Sequence, residues 1–371
     1  MKEIGIVTFH NAHNYGACLQ AYALQQYLKS KNNEVKIINY DSKIKTYYNL
    51  IIPAFRKNVI KYVFQFIYNL KYYKTRKKRY DSFQEFISQY LEVSDRHYKT
   101  EKQLKRYAPS YDYYICGSDQ IWNIDLVGEL SDAFTLKFGA EPIRKISYAA
   151  SIGKDCISVK EKQLYKIKLS HLDEISVREP EAQKILTDLL GREVQLVVDP
   201  VFLLEKSQWQ TFAQGCLSQT EKKKYILVYS VVKDKHLVEI VNYISEKTGY
   251  GVIAFETIPF HHIIKYVNDA SPVQFVRLIQ DAEIVIANSF HALAFSLIFE
   301  KNFWIVPHEN TNSRMENLLK LTNNQNRLIH DVSEMNQRDL FERVQTQMVG
   351  SKLKKEIEKS KQYLSKALEM E

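Results

Sequence analysis

Short apolar segments alternate with helical segments along most of the chain, and this alternation constrains the fold more than any other feature of the sequence. Residues 4–7 read as a strand, 10–16 as a polar turn, 19–28 as a helix with apolar residues three and four apart, and 34–40 as a second strand. A strand, a helix and a strand in close succession form a βαβ unit. The sequence therefore predicts an α/β protein with parallel sheets.

The alternation continues in two sets, which predicts two Rossmann-like domains facing a cleft. A chain of 371 residues also exceeds what one core usually covers. We predict an N-terminal domain over 1–205 with a helical insertion at about 43–106, a C-terminal domain over 206–345, and a C-terminal helix over 346–371. The further predicted strands are 112–116, 145–149, 174–178 and 194–198 in the first set and 225–230, 251–254, 283–287 and 303–306 in the second.

The formal net charge is +9, which favours anionic partners. From Arg56 to Arg79 there are nine Lys or Arg residues, no Asp or Glu, and several aromatic residues. The segment 49–79 is therefore either a peripheral contact with an anionic membrane or an insertion whose aromatic residues pack on the N-terminal domain. No nucleic-acid recognition motif accompanies the charge, so we expect no nucleic-acid partner.

Targeting and cofactor signals are missing from the sequence. The first residues lack the apolar core of a signal peptide, and no apolar run reaches the roughly 18 residues of a membrane span. We therefore expect a cytoplasmic protein, at most peripheral at the inner face of the membrane. The four cysteines are widely spaced, and neither G-x-G-x-x-G nor a P-loop occurs, so we expect no metal and no cofactor.

Three motifs fall where a predicted strand ends, which is the edge at which parallel sheets bind ligands. Each combines small, polar or titratable residues with the start of a helix, whose free N–H groups favour anions. Turns use Gly, Asn and Ser for conformational reasons alone, so a purely structural role stays open for each motif. The motif residues are His10, Asn14 and Gly16; Ser118, Asp119 and Gln120; and Asn288, Ser289 and His291.

Three charged or titratable residues are candidates for contact with an anion. His291 follows a strand and precedes a helix, where a histidine beside an anion can donate a proton near neutral pH. Arg178 and Arg314 can clamp a carboxylate or phosphate in bidentate fashion. The alternatives are a structural histidine and ordinary ion pairs, and for Arg178 the adjacent Glu179 favours the ion pair.

Several motifs, in order, resemble the polysaccharide pyruvyl transferase family. They are Asn14-Tyr15-Gly16-Ala17, Gly117-Ser118-Asp119-Gln120-Ile121-Trp122-Asn123, Ser147-Tyr148-Ala149-Ala150-Ser151-Ile152-Gly153, Ser176-Val177-Arg178-Glu179, Val198-Asp199-Pro200-Val201 and Asn288-Ser289-Phe290-His291-Ala292. The resemblance implies a GT-B-like fold and transfer of a pyruvyl group from phosphoenolpyruvate to a sugar of a cell-surface polysaccharide or its lipid-linked precursor, forming a ketal.

The sequence departs from the family at one position. The family's helix-start motif reads Arg-Leu-His, and its Arg and His serve phosphoenolpyruvate; here His291 matches the His, and Ser289 stands in place of the Arg. Loss of that guanidinium weakens donor binding unless another cation, such as Arg314 or Arg178, replaces it. A branch with a different donor therefore stays open.

The resemblance and the chemistry together assign roles. His291 is the predicted acid, and Asp119 or His10 the predicted base. The predicted donor-binding residues are Asn288, Ser289, His291, Arg314 and Arg178, and the predicted acceptor-binding residues are His10, Asn14, Gly16, Ser118, Asp119 and Gln120. The alternatives are a GT-B-type glycosyltransferase using a nucleotide sugar, with Glu316 as the nearest match to its ribose-binding carboxylate, and a non-catalytic glycan-binding protein.

Overall fold

The structure is a computed structural model, and it describes residues 1–41, 59–139, 142–216, 224–231, 234–307, 313–340 and 346–370. The chain divides into two compact units. The first comprises Met1–Leu204 together with the end of the chain from Glu356, and the second comprises Glu205–Lys355.

The first unit is built on a six-stranded sheet in which every neighbouring pair of strands is parallel. The order is β2-β1-β3-β4-β5-β6. Its central strands are almost wholly buried because helices cover both faces of a parallel sheet. The strands are β1 (Glu3–Val7), β2 (Glu34–Ile37), β3 (Tyr113–Asp119), β4 (Arg144–Ala150), β5 (Ser176–Val177) and β6 (Gln195–Leu196).

The described residues of this unit form seven α-helices before the chain enters the second unit at Glu205. They are α1 (Tyr15–Lys29), α2 (Val59–Lys71), α3 (Tyr73–Tyr90), α4 (Glu101–Tyr107), α5 (Ile124–Val127), α6 (Val159–Leu169) and α7 (Pro180–Leu190). Several of these helices begin or end at residues typical of helix termini. Ser158 and Glu161 form a capping box at the start of α6. Pro180 opens α7, and Gly191, with φ +65°, closes it.

Helices α2, α3 and most of α4 lie between β2 and β3, within the range 43–106 predicted as a helical insertion. Residues 43–58 lie outside the described part, as do 49–58 of the segment predicted to contact a membrane. No helix within the described ranges combines the length and the apolar character needed to cross a bilayer.

The second unit has a five-stranded parallel sheet of order β11-β10-β7-β8-β9. Residues of β7, β8 and β10 and of the covering helix α9 form its apolar core. Its strands are β7 (Tyr225–Tyr229), β8 (Gly251–Ala254), β9 (Ile263–Tyr266), β10 (Ile284–Ala287) and β11 (Asn302–Ile305). Its helices are α8 (Lys206–Ala213), α9 (Lys235–Thr248), α10 (Pro272–Asp281), α11 (Phe290–Ile298) and α12 (Ser313–Leu321).

The last helix, α13 (Thr346–Ala367), returns the chain to the first unit. The hydroxyl of Tyr363 donates to the carbonyl of Ser147 in β4 at 2.8 Å, and the amide of Val198 donates to Oγ of Ser360 at 2.9 Å. Leu364 and Leu368 are completely buried. The end of the chain is therefore part of the first unit's core.

Candidate functional site

The turn between β1 and α1 holds the first predicted motif, and its residues build the turn. Oδ1 of Asn14 accepts a hydrogen bond from the amide of Ala17 at 3.1 Å and so caps α1. His10 is buried, with Nδ1 3.3 Å from the carbonyl oxygen of Thr8. Gly16 is buried in the first turn of α1.

The second motif begins at a junction of four elements. The amide of Ser118 donates to Oε1 of Gln20 at 3.1 Å, and Nε2 of Gln20 donates to Oγ1 of Thr8 at 2.8 Å. Oγ of Ser118 donates to the carbonyl of Ala149 at 3.1 Å. These bonds join the carboxyl ends of β1, β3 and β4 to α1, and they leave Ser118 fully buried.

Asp119 and Gln120 follow, and both are partly exposed. Asp119 adopts a left-handed backbone conformation with φ +73°, and its Oδ1 accepts the amide hydrogen of Gln120 at 2.8 Å. Its side chain is 16% exposed. Oε1 of Gln120 accepts from Nδ2 of Asn123 at 2.6 Å, so the turn is held by its own side chains while the carboxylate of Asp119 keeps contact with solvent.

Arg178 lies behind this turn and binds three carboxylates. Its Nη1 lies 2.6 Å from Oδ2 of Asp199, its Nη2 3.2 Å from Oδ1 of Asp119, and its Nε 3.2 Å from Oε1 of Glu179. Burial alone lowers the pKa of this guanidinium, but the charges of Glu179, Asp199 and Asp119 outweigh burial and the pKa is raised. Arg178 is therefore a permanent cation that holds Asp119 in place.

The third motif lies in the second unit, at the carboxyl end of β10. Oδ1 of Asn288 accepts from the amide of Val231 at 2.6 Å, and its Nδ2 donates to Oγ of Ser230 at 3.1 Å. Asn288 thus ties the end of β10 to the segment that follows the neighbouring strand β7. Ser289 occupies the N-cap position of α11, but its side chain makes no capping hydrogen bond.

His291 is in the first turn of α11 and is 9% exposed. Its ring meets that of Phe290 edge to face, with 5.3 Å between the centroids. The rest of α11 is apolar and buried, which fixes the helix against the sheet. The positive end of the helix dipole and the imidazole therefore lie together at one sheet edge.

Arg314 is in the first turn of α12, which packs against α11, and its side chain is partly buried. The structure thus places Arg314 in the same unit as Asn288, Ser289 and His291. It places Arg178, the fifth predicted donor residue, in the first unit with all the predicted acceptor residues. The donor role of Arg178 stays a prediction; what the structure shows is its contact with three carboxylates.

Sequence reasoning missed several residues that support the site. Asp199, named above only within the motif Val198-Asp199-Pro200-Val201, accepts the amide hydrogen of Val201 at Oδ1, and its Oδ2 binds Arg178. Glu179 was named as an ion-pair partner of Arg178, but its second contact was missed: Oε1 of Glu179 also accepts from Oγ of Ser151 at 2.6 Å. Gln20 lies within the Leu-Gln-Ala-Tyr run of α1. A polar residue such as Gln20 or Asp199 within or beside an apolar stretch of the sequence could have indicated a buried hydrogen-bonding role.

The fold is shared with solved structures at low sequence identity. The structure of S. aureus MnaA with UDP matches with a TM-score of 0.55 and 10% identity, covering 100% of this chain and 98% of that chain. A crystal structure of UDP-N-acetylglucosamine 2-epimerase matches with a TM-score of 0.54 and 10% identity, covering 99% and 95%. The predicted α/β, GT-B-like fold is thereby confirmed. No curated protein matches the chain.

A family model described as polysaccharide pyruvyl transferase matches residues 14–310. The match spans most of both units and contains the second and third strand-end motifs in full. The resemblance stated from the motifs is thus confirmed, and the chain belongs to the polysaccharide pyruvyl transferase family and is a transferase.

Proposed function

We propose that the protein transfers the pyruvyl group of phosphoenolpyruvate to two hydroxyls of a sugar, forming a cyclic ketal, on a cell-surface polysaccharide or its lipid-linked precursor. The observation that carries the proposal is the position of His291 in the first turn of α11, at the carboxyl end of β10. The family match supplies the reaction class, and the donor and acceptor are our inference.

The donor requires groups that hold two anions. Phosphoenolpyruvate carries a phosphate and a carboxylate, and the N-terminal turn of α11 offers backbone N–H groups with a partial positive charge. Arg314, on the adjacent helix α12, supplies the guanidinium that the family places where Ser289 stands. Asn288 fixes the turn through its bonds to Val231 and Ser230 and so sets the direction of these donors.

The transfer requires an acid and a base. In this proposal His291 protonates the methylene carbon of the donor, which becomes a methyl group, and one sugar hydroxyl adds to the neighbouring carbon. Asp119 accepts the hydroxyl proton. The second hydroxyl then displaces phosphate from the same carbon, and its proton passes to the departing phosphate, which closes the ketal and releases inorganic phosphate. The proton on Asp119 returns to His291 through solvent. His10 is the less favoured base because it is buried in the first unit, whereas the carboxylate of Asp119 is partly exposed.

Calorimetric titration with phosphoenolpyruvate tests the donor assignment. We expect saturable binding to the wild type, weakened at least about tenfold in His291→Ala because a charged hydrogen bond is lost. His261→Ala is the matched control, since His261 is an exposed histidine of the same unit, paired with Glu246 at 2.8 Å. Thermal melting of each variant checks that the buried substitution leaves the fold intact.

A nucleotide-sugar glycosyltransferase is the second candidate because a structure with UDP shares the fold. Titration with UDP-N-acetylglucosamine in the same buffer is therefore the parallel arm. The mass of the acceptor product decides between the two: a ketal adds one pyruvyl group, and a glycosyltransferase adds a whole sugar. Equal affinity of wild type and His291→Ala for phosphoenolpyruvate, or transfer of a sugar, contradicts the proposal.

A further inference from the structure

Helix α2 presents its apolar face to solvent. Six of the thirteen large apolar side chains that are exposed among the described residues fall within ten positions of one another. They are Val63 (47% exposed), Phe64 (69%), Ile67 (55%), Tyr68 (51%), Leu70 (49%) and Tyr72 (41%). At 3.6 residues per turn the five that belong to α2 share one side of the helix.

The opposite side of α2 is the one that the protein covers. Asn69 is buried, and its Oδ1 accepts a hydrogen bond from Nε2 of Gln65 at 3.0 Å. Tyr62 and Phe66 are half-buried. The helix therefore exposes its more apolar side, the reverse of the usual arrangement on a protein surface. A contiguous apolar face of this kind marks an interaction surface.

Helix α3 fixes this surface to the first unit. Phe83 and Phe86, in its second half, are buried, and the ring of Phe83 lies 5.1 Å from that of Tyr15 in α1. Nη1 of Arg79 donates to the hydroxyl of Tyr15 at 3.2 Å. The first half of α3 carries exposed lysines, including Lys74 and Lys78. Only Tyr72 separates α2 from α3, so the apolar face of α2 is joined directly to an anchored helix.

The positive charge around the apolar face of α2 indicates which kind of partner can bind there. From residue 59 to residue 80 there are seven Lys or Arg residues and no Asp or Glu. A second copy of this chain is disfavoured, because a two-fold interface brings the same cations of both copies together. A bilayer with anionic lipids accepts both features, since the apolar side chains enter the boundary between headgroups and acyl chains while the cations meet the headgroups.

We propose that α2 and the start of α3 form a docking surface for an anionic lipid bilayer, in which Phe64 and Ile67 insert and Lys71, Lys74 and Lys78 contact the headgroups. The inference extends the proposed function, because a lipid-linked acceptor lies at such a surface. Binding to vesicles requires neither donor nor acceptor, so its test stands or falls independently of the transfer reaction.

Co-sedimentation of the full-length protein with vesicles tests the proposal. One set of vesicles is phosphatidylcholine alone, and the other is phosphatidylcholine with an equal part of phosphatidylglycerol. We expect binding to the second set that weakens as salt is raised. The double variant Phe64→Gln/Ile67→Gln should lower the partition coefficient at least about tenfold. Lys74→Glu/Lys78→Glu should lower it about fivefold or more for each cation lost.

A matched control removes equally exposed apolar side chains from another helix of the same unit. Val159→Gln/Ile167→Gln on α6 does so, since these residues are 74% and 66% exposed. It should bind vesicles like the wild type. Absence of wild-type binding to the anionic vesicles, or equal loss in the α2 and α6 variants, overturns the proposal. A third outcome also overturns it: the wild type binds no vesicles but forms a dimer in sedimentation velocity, and Phe64→Gln/Ile67→Gln dissociates that dimer.

Fluorescence provides a second readout of insertion. The three native tryptophans, Trp122, Trp209 and Trp304, are buried and do not report on this surface. In Phe64→Trp the new indole should shift its emission to the blue on anionic vesicles and become shielded from an aqueous quencher. An unchanged spectrum in a variant that still sediments with vesicles contradicts insertion by this face.

Discussion

Nη1 of Arg178 lies 2.6 Å from Oδ2 of Asp199, and both side chains are almost completely excluded from solvent. The same guanidinium also contacts Glu179 and Asp119, so one buried cation faces three carboxylates. This cluster of carboxylates is stable only while the cation is present, because the guanidinium offsets their mutual repulsion and the cost of removing them from water.

Arg178→Met should lower the free energy of unfolding by about 3–5 kcal/mol, because it leaves buried carboxylates facing one another. Urea denaturation measures the loss. Arg277→Met is the control: Arg277 pairs with Asp281 at 2.6 Å on α10, but it is partly exposed, and its loss should cost about 1 kcal/mol or less. Equal losses for the two variants are incompatible with a buried network.

Gly153→Ala should disturb the turn that carries Asp119. Gly153 has φ +68°, and an added Cβ would lie 2.4 Å from both Oε1 of Gln120 and Nδ2 of Asn123. Gly191→Ala is a close control, because Gly191 has φ +65° with open space around the new methyl group. Both variants lose about 1 kcal/mol to backbone strain, and only Gly153→Ala should show a larger loss in thermal melting together with reduced transfer activity.

Asp119→Asn tests the proposed base. Transfer should fall about 100-fold or more because the amide cannot accept the hydroxyl proton, whereas affinity for phosphoenolpyruvate should change little. Asp125→Asn, an exposed carboxylate that pairs with Lys154, is the control and should transfer normally. Near-normal turnover of Asp119→Asn would remove this residue from the mechanism, while the donor titrations would still stand.

Asp132 should make the protein sensitive to acid. It accepts hydrogen bonds from Lys105 of α4 and Lys168 of α6. Burial raises the pKa of Asp132, but the two lysines outweigh burial and the pKa is lowered from its usual 3.8. Its stabilising effect is therefore complete above that value and is lost as the pH falls through the lowered pKa.

Asp132→Asn accordingly should lower the free energy of unfolding by about 1 kcal/mol near pH 7. The deficit relative to the wild type should shrink as the pH falls below 3.8. Denaturation midpoints at several pH values measure it. A deficit that is constant across this range, or that grows on acidification, contradicts the assignment.

The strands were predictable where both of their faces are buried. Tyr225–Tyr229 and Ile284–Ala287 are continuous apolar runs followed by polar turns, and this is the pattern of a central parallel strand. The strand β9 was missed because Ile263–Tyr266 is an edge strand without a fully buried residue, so burial left no pattern in its sequence. In the first unit, the predicted strands 174–178 and 194–198 are reduced to two residues each, β5 and β6, at one edge of the six-stranded sheet.

The site was predictable only as far as local geometry extends. Asn14 and Asn288 follow strands and end in hydrogen bonds to nearby backbone, which is what the turn chemistry of asparagine indicates. The ion pair of Arg178 with the adjacent Glu179 was foreseen, but its two distant partners were not predictable: Asp119 precedes it by 59 positions and Asp199 follows it by 21. Only the sheet, which lays β3, β4 and β5 side by side, brings these residues into contact.

The return of α13 to the first unit has a consequence for synthesis on the ribosome. The hydroxyl of Tyr363 donates to Ser147, and Ser360 accepts from Val198, so the first unit lacks part of its core until α13 has left the exit tunnel. The second unit, which lies wholly within the intervening stretch, emerges complete before the first. The unit that is translated first is therefore completed last. Nascent chains released before α13 is translated expose part of the first unit's core, which protein quality control can recognise.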